Sequence, residues 1–338
     1  MWHAPQWARL LANGRASLGR LPHALLLSGV DGLGKRIFAN QLAAFLLCES
    51  TAADGLTACG SCEACRWLKE GNHPDFRRLS ASDEDADEDA STESKEKRKG
   101  AAQIKIAAVR ALEDFVFVGS HRHGNRVVVI EQAEAMNPAA ANALLKILEE
   151  PPASVYFLLT TNRPRSLLAT IRSRCRVVSF DPPHEDEWAV VRQELGLPSD
   201  AVAGLALAGG APFKLLEWQR DGLIDALEGI SQSVEVSGPK EPLGLAATWE
   251  GLLRRHARLD MEMLVGQVLR IVFDSALSDA SGRRRYLPAA SKPVPNQATR
   301  FWPELLRFRR SARHPLNPTL FLEDLATQTL RALRKESP

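Results

Sequence analysis

The sequence predicts an α/β fold, a parallel sheet interleaved with helices, followed by a largely helical second half. Three stretches carry that reading. Ala24–Ser28 is a short apolar run leading straight into Gly29-Val30-Asp31-Gly32-Leu33-Gly34-Lys35-Arg36. Residues 127–130 and 155–159 are further apolar runs, the composition of parallel strands covered on both faces. Between them, Asn137-Pro138 reads as an N-cap with proline in the first turn. Ala140, Leu144, Ile147 and Leu148 then share one helical face, and Pro151-Pro152 stops the helix.

A chain of 338 residues suits two or three domains, and its 45% hydrophobic content is ample for buried cores. With 43 basic and 41 acidic residues there is no global field that would by itself argue for nucleic acid. The N-terminal MWHAPQWARLL has no charged region followed by a long apolar stretch, so no signal peptide is expected. No apolar run approaches the roughly 20 residues that span a bilayer. Five cysteines are therefore expected as reduced thiols or metal ligands in a cytoplasmic, membrane-free protein.

In chain order, residues 2–21 read as a short amphipathic helix feeding the first strand. Gly-x-x-x-x-Gly-Lys between a strand and a helix is a phosphate cradle, a P-loop: backbone N–H groups surround phosphate oxygens and the lysine neutralises charge. Phe38, Leu42 and Phe45 line the inner face of the following helix. The residue after the lysine should offer a hydroxyl to magnesium; Arg36 stands there and has no acceptor. Gly29, Gly32, Gly34, Lys35 and Arg36 are thus candidate but degenerate nucleotide-binding positions. Either the loop still holds nucleotide with poor magnesium binding, or it is an inherited turn whose glycines fit the geometry. Whether ATP binds stays open.

Cys48 ends that helix, and Cys59, Cys62 and Cys65 follow. Four thiolates allow a closed, structural zinc site; a redox pair at Cys62 and Cys65, or plain thiols, are the alternatives. His73, in Gly-Asn-His-Pro-Asp, reads as a loop residue because four sulfurs already complete a site. Residues 82–100, SDEDADEDASTESKEKRKG, have no apolar residue larger than alanine and are expected to be a mobile insert, solvated or partner-binding. Helical periodicity resumes over 104–118 at Ile106, Val109, Leu112, Phe115 and Val116. Residues 121–126 read as a basic turn, either solvated or approaching DNA phosphates.

Glu131 and Gln132 close the 127–130 strand, at the carboxyl end where doubly wound sheets place their chemistry. Thr160, Thr161 and Asn162 close the next, and a further helix leads to Ser173-Arg174-Cys175. After Asp181-Pro182-Pro183, residues to about 207 suit a small helical unit with Trp188, Val191 and Leu195. Gly209-Gly210-Ala211-Pro212 is a turn, and helical patches follow at 215–227, 243–256 and 261–276. A last helix over 317–325 carries Phe321, Leu322 and Leu325 on one side. Residues 283–313 hold nine basic residues against the single acid Glu304, a patch for DNA or an acidic partner, or solvated helix faces.

The segment NALLKILEEPP, the strand ending Thr-Thr-Asn and the Ser-Arg-Cys triplet resemble, in that order, the ATPase module of bacterial clamp loaders, a branch of the AAA+ superfamily. Within it the chain is most similar to the delta-prime family of the DNA polymerase III clamp loader. That resemblance implies an AAA+ domain over 1–165, carrying the zinc module (48–65) and the insert (82–100). It further implies a helical lid over 166–208 and a helical collar over 209–338. In active relatives the first sheet motif ends Asp-Glu, one helping to hold magnesium and the other polarising water. Glu131 and Gln132 stand here, and glutamine cannot accept a proton from water. Thr161 and Asn162 match the first sensor, with Asn162 departing from its usual threonine. Phe213 takes the place of the second-sensor arginine, with Lys214 one position late.

Arg174 matches the arginine finger, a group inserted into a neighbour's ATP site; a surface arginine paired with a carboxylate is the alternative. The implied role is a non-motor, stator-like subunit assisting ATP-dependent loading of the sliding clamp onto primed DNA. Such a subunit lacks autonomous ATPase activity but belongs to the DNA polymerase III holoenzyme, a DNA-directed DNA polymerase and nucleotidyltransferase. Implied partners are gamma/tau-type ATPase subunits, a clamp-opening delta-type subunit, the clamp and primed DNA. Two rivals are an ATP-hydrolysing motor subunit of the same assembly and a zinc-containing DNA-binding module.

Overall fold

The computed structural model describes residues 4–11, 20–50, 56–81, 103–117, 124–184, 187–198, 201–235, 241–281, 298–312 and 317–333. The expected insert at 82–100, residues 121–123 of the basic turn, and residues 283–297 and 313 of the basic tract lie outside these residues. Two compact units divide the chain, Met1–Asp181 and Pro182–Pro338.

The first unit is built on β1 (Ala24–Ser28), β2 (Phe76–Leu79), β3 (Arg126–Ile130), β4 (Val155–Thr161) and β5 (Arg176–Ser179). They form one sheet in the order β2-β3-β4-β1-β5, every pair parallel. Around it lie α1 (Ala4–Leu11), α2 (Lys35–Leu47), α3 (Glu63–Glu70), α4 (Ile106–Phe117), α5 (Pro138–Glu149) and α6 (Ala169–Arg174). The three inner strands are the apolar runs legible in the sequence, and β3 is buried along its whole length. A cluster including Leu26, Val128, Leu144, Ile147, Phe157 and Ile171 fills one face.

The edge strands were not foreseen, and their composition says why. Phe-Arg-Arg-Leu in β2 turns both arginines to solvent, and β5 buries only Val178. Neither makes the continuous apolar run of a central strand. Because β5 pairs with β1 from Leu25↔Arg176 to Ser28↔Ser179, the first unit continues to Asp181. The expected boundary between 165 and 166 falls inside that unit. Arg126 also departs from expectation: it is 6% exposed, belongs to β3, stacks over Phe115 and donates to the Phe115 carbonyl. It is a core residue and offers nothing to DNA phosphates.

The second unit is helical: α7 (Trp188–Leu195), α8 (Ala201–Leu207), α9 (Pro212–Arg220), α10 (Ile224–Glu235), α11 (Pro242–Arg255), α12 (Met261–Ser281), α13 (Ala298–Ser311) and α14 (Pro318–Ala332). One cluster of buried side chains runs from Leu197 to Leu333. The helix expected over 215–227 is two, because Gly222 turns left-handed at φ 67° between α9 and α10. α14 begins as expected, with Asn317 Oδ1 accepting from the Thr319 and Leu320 N–H groups, but continues past Leu325 to Ala332. Among the described residues no helix is long and apolar enough to cross a membrane.

Trp249 anchors this core. It is fully buried, and its indole N–H donates to Ser233 Oγ at 2.9 Å. Trp249→Ala removes the largest fully buried side chain among the described residues of the unit and is expected to cost about 3–5 kcal/mol. Ser233→Ala, which orphans the indole N–H, is expected to cost about 1–3 kcal/mol. Urea unfolding followed by tryptophan fluorescence and far-UV circular dichroism checks both.

Candidate functional site

The loop after β1 has the geometry of a phosphate cradle. Gly32 and Gly34 sit at φ 78° and 79°, left-handed values that favour glycine. Gly29 is constrained differently: a Cβ there would lie 2.3 Å from the Phe180 carbonyl oxygen. Lys35 opens α2 and is 6% exposed, its ammonium donating to the Val30 carbonyl at 2.6 Å. Burial pushes its pKa down to about 8, against the raising pull of Asp31 and Glu134.

Arg36, one step further, is 71% exposed at its side chain, and its Nη1 lies 3.7 Å from Glu131 Oε2. Glu131 follows β3, and its other oxygen faces Arg78 Nε at 3.5 Å. Arg78 is held in turn by Asn40 Oδ1 at 3.0 Å. The carboxylate at the degenerate metal position is therefore flanked by two guanidinium groups. Gln132 sits at φ 50°, with its N–H donating to Thr160 Oγ1 at 3.1 Å and its side chain exposed. Thr161 is buried, and its Oγ1 accepts from the Arg163 N–H at 3.1 Å. The Asn162 N–H donates to Glu134 Oε1 at 3.0 Å.

The sheet thus brings Lys35, Arg36, Glu131 and Gln132 to its carboxyl edge, with Thr161 and Asn162 at the end of β4. Arg78 and Glu134 were missed in the sequence. The available signal for Arg78 was the pair of arginines in Phe-Arg-Arg-Leu, but its meeting with Glu131 depends on β2 pairing beside β3. Lys214 is spent locally, on Glu217 at 2.9 Å within α9.

The four cysteines converge. Their sulfurs lie within 4.8 Å of one another, with Cys48 Sγ at 3.5, 3.8 and 3.6 Å from those of Cys59, Cys62 and Cys65. A tetrahedron of sulfurs at zinc bond lengths has edges of about 3.8 Å, so this donor set fits zinc. Backbone N–H groups of Cys59, Cys62 and Cys65 each donate to a sulfur of the set at 3.3–3.4 Å, as second-sphere donors to thiolates do. His73 lies apart from the cluster's ligand set, its Nδ1 accepting from the Asp75 N–H at 3.1 Å.

Arg174 closes α6. Its Nη2 meets Glu149 Oε1 at 2.6 Å and its Nη1 donates to the Thr170 carbonyl at 3.1 Å, with the side chain one-third exposed. Cys175 beside it is buried, and burial pushes its thiol up to about 11, a packing residue rather than a reactive one.

A family model described as DNA polymerase III, delta subunit, matches residues 4–184. The DNA polymerase III subunit delta' of Pseudomonas aeruginosa is 34% identical over 351 residues, covering 97% of this chain and 96% of that protein. The chain belongs to the delta' family. A second delta' relative, from Escherichia coli K12, is 34% identical over 241 residues, which cover 70% of this chain and 66% of that protein. Outside the delta' family, the DNA polymerase III subunit tau of Salmonella typhimurium is 39% identical over 167 residues, 49% of this chain and 22% of tau.

In this delta' chain the buried ammonium of Lys35 makes stability depend on pH. A folded pKa of about 8, below the unfolded 10.5, means the charged form costs the fold free energy at neutral pH. That cost fades as pH rises from about 8 towards 10.5, where the unfolded chain binds more protons. Lys35→Met is therefore expected to stabilise the protein by on the order of 2 kcal/mol at pH 7. The gain should shrink as pH approaches the unfolded pKa. A gain that stays constant across chemical unfolding at several pH values counts against the buried charge.

Proposed function

We propose that this member of the delta' family is a non-motor subunit of a clamp loader, supplying Arg174 to the ATP site of a neighbouring subunit. The observation that carries the reading is the contrast between two sites in one chain. Arg174 stands accessible at a helix end, its guanidinium already oriented by Glu149 and Thr170. The chain's own loop has an arginine beside Glu131 and a glutamine in place of the base. A chain that cannot activate water can still stabilise charge developing on a phosphoryl group held elsewhere.

In this reading Glu149 holds the guanidinium until the phosphoryl oxygens of a neighbour's nucleotide compete for it, which planar arginine meets with paired hydrogen bonds. Partners are gamma/tau-type ATPase subunits and a delta-type subunit, the assembly acting on a sliding clamp and primed DNA in the cytoplasm. The helices after Pro182 provide a lid and a collar that joins the ring. Cys48, Cys59, Cys62 and Cys65 hold one structural zinc, which ties the end of α2 to α3 and takes no part in the chemistry.

The close contact with Glu149 also favours a second reading, in which Arg174 is only a surface ion pair. The two separate cleanly in the reconstituted complex. Arg174→Ala is expected to leave assembly intact and lower steady-state ATP turnover by roughly 10³-fold or more at the site it serves. Glu149→Ala is expected to leave turnover standing. If both variants only lower subunit stability, by under about 1 kcal/mol, the pair is structural. For the metal, elemental analysis should find one zinc per chain, reduced by Cys62→Ser. Chelation should unfold the module, measured as accelerated proteolysis between α2 and β2.

A further inference from the structure

We infer that the Arg36 guanidinium takes the place of the divalent ion at the loop after β1, so that the chain binds a nucleoside triphosphate there without a metal. This inference concerns the chain's own loop and stands apart from the role of Arg174. A loop of this type ordinarily follows its lysine with a hydroxyl residue, and that hydroxyl and a strand-end carboxylate hold magnesium against the phosphates. Here the residues do not fit the ion. Arg36 has no acceptor atom to give it. The carboxylate at the end of β3, Glu131, already has guanidinium groups at 3.7 Å and 3.5 Å. A cation bound to Glu131 would sit against two positive charges.

The arrangement nevertheless suits an anion. Replacing a neutral hydroxyl residue by Arg36 adds one positive charge, and a glutamine where active relatives carry an acid removes one negative charge. The sum is +2, the charge of the ion that no longer fits. The cradle itself is intact, with Gly32 and Gly34 left-handed and the buried Lys35 ammonium held by a loop carbonyl that a phosphate oxygen can replace. Arg36 is exposed and tethered only at 3.7 Å, outside hydrogen-bond distance, so it can swing from Glu131 to a phosphate while Arg78 stays on the carboxylate. Hydrolysis does not follow from such binding, because Gln132 cannot take a proton.

The test is equilibrium binding of ATP to the full chain, by calorimetry or a fluorescent ATP analogue, in excess EDTA and in excess magnesium. The expected result is the same affinity in both buffers, within about twofold. Arg36→Ser restores the hydroxyl and should weaken binding in EDTA by about tenfold or more, with magnesium recovering part of the loss. Arg36 is a solvent-exposed helix residue, so the variant should fold, and an unchanged thermal melt confirms it. Lys35→Ala is expected to abolish binding in both buffers. The inference is overturned if wild-type binding requires magnesium, if ATP binds in neither buffer, or if Arg36→Ser behaves as wild type.

Discussion

Three strands are laced together at the level of Ser28 and Gly29. The Gly29 N–H donates to the Thr161 carbonyl of β4 at 3.3 Å, and the Phe180 N–H returns to the Ser28 carbonyl at 2.7 Å. The backbone after β5 passes so close that no side chain fits on residue 29. Much of the first unit follows from that approach. It makes β5 part of the sheet, ends the unit just after Phe180, and carries the Phe180 ring beneath α2, edge-on to Phe38 at 5.2 Å. Phe38 in turn meets Trp7 of α1 at 5.4 Å. Gly29 is thus held by sheet packing, so a glycine at this position is by itself no sign of hydrolysis.

What was legible in the sequence was local. The Asn137 cap, accepting from the Ala140 N–H at 2.8 Å, the stripe of α5 and the stop at Pro151 depend on neighbours within a few residues. The inner strands declared themselves by composition. The cysteine cluster declared itself by spacing, since α3 needs to add only one turn to bring Cys65 to the sulfurs of Cys48 and Cys62. The misses were tertiary. Arg126 looked like part of a solvated basic turn, yet burial against Phe115 outweighs its charge because the carbonyl of that same residue accepts from it. Hydrophobic periodicity ran on through 221–223, but a left-handed Gly222 resets the axis. β2 and β5 were hidden because an edge strand needs only half the apolar residues of a central one.

Arginine plays three parts in this chain, and surroundings decide which. Arg126 is buried and serves the core. Arg174 is partly exposed, with one carboxylate partner and a helix carbonyl that orient it at the end of α6. Arg36 and Arg78 share Glu131 and set the sign of the field at the carboxyl end of the sheet. Composition alone, nearly balanced between acid and base, reveals none of this.

The shared carboxylate also couples the positions around it. Restoring a hydroxyl at position 36 alone leaves Glu131 leaning on Arg78, with a buried oxygen that no hydrogen bond reaches among the described residues. Placing an acid at 132 alone adds a second negative charge next to Glu131, whose charge Arg36 and Arg78 already share. Each single change thus unbalances charges that Arg36, Arg78 and Glu131 now share, so substitutions at positions 36 and 132 are expected to act non-additively.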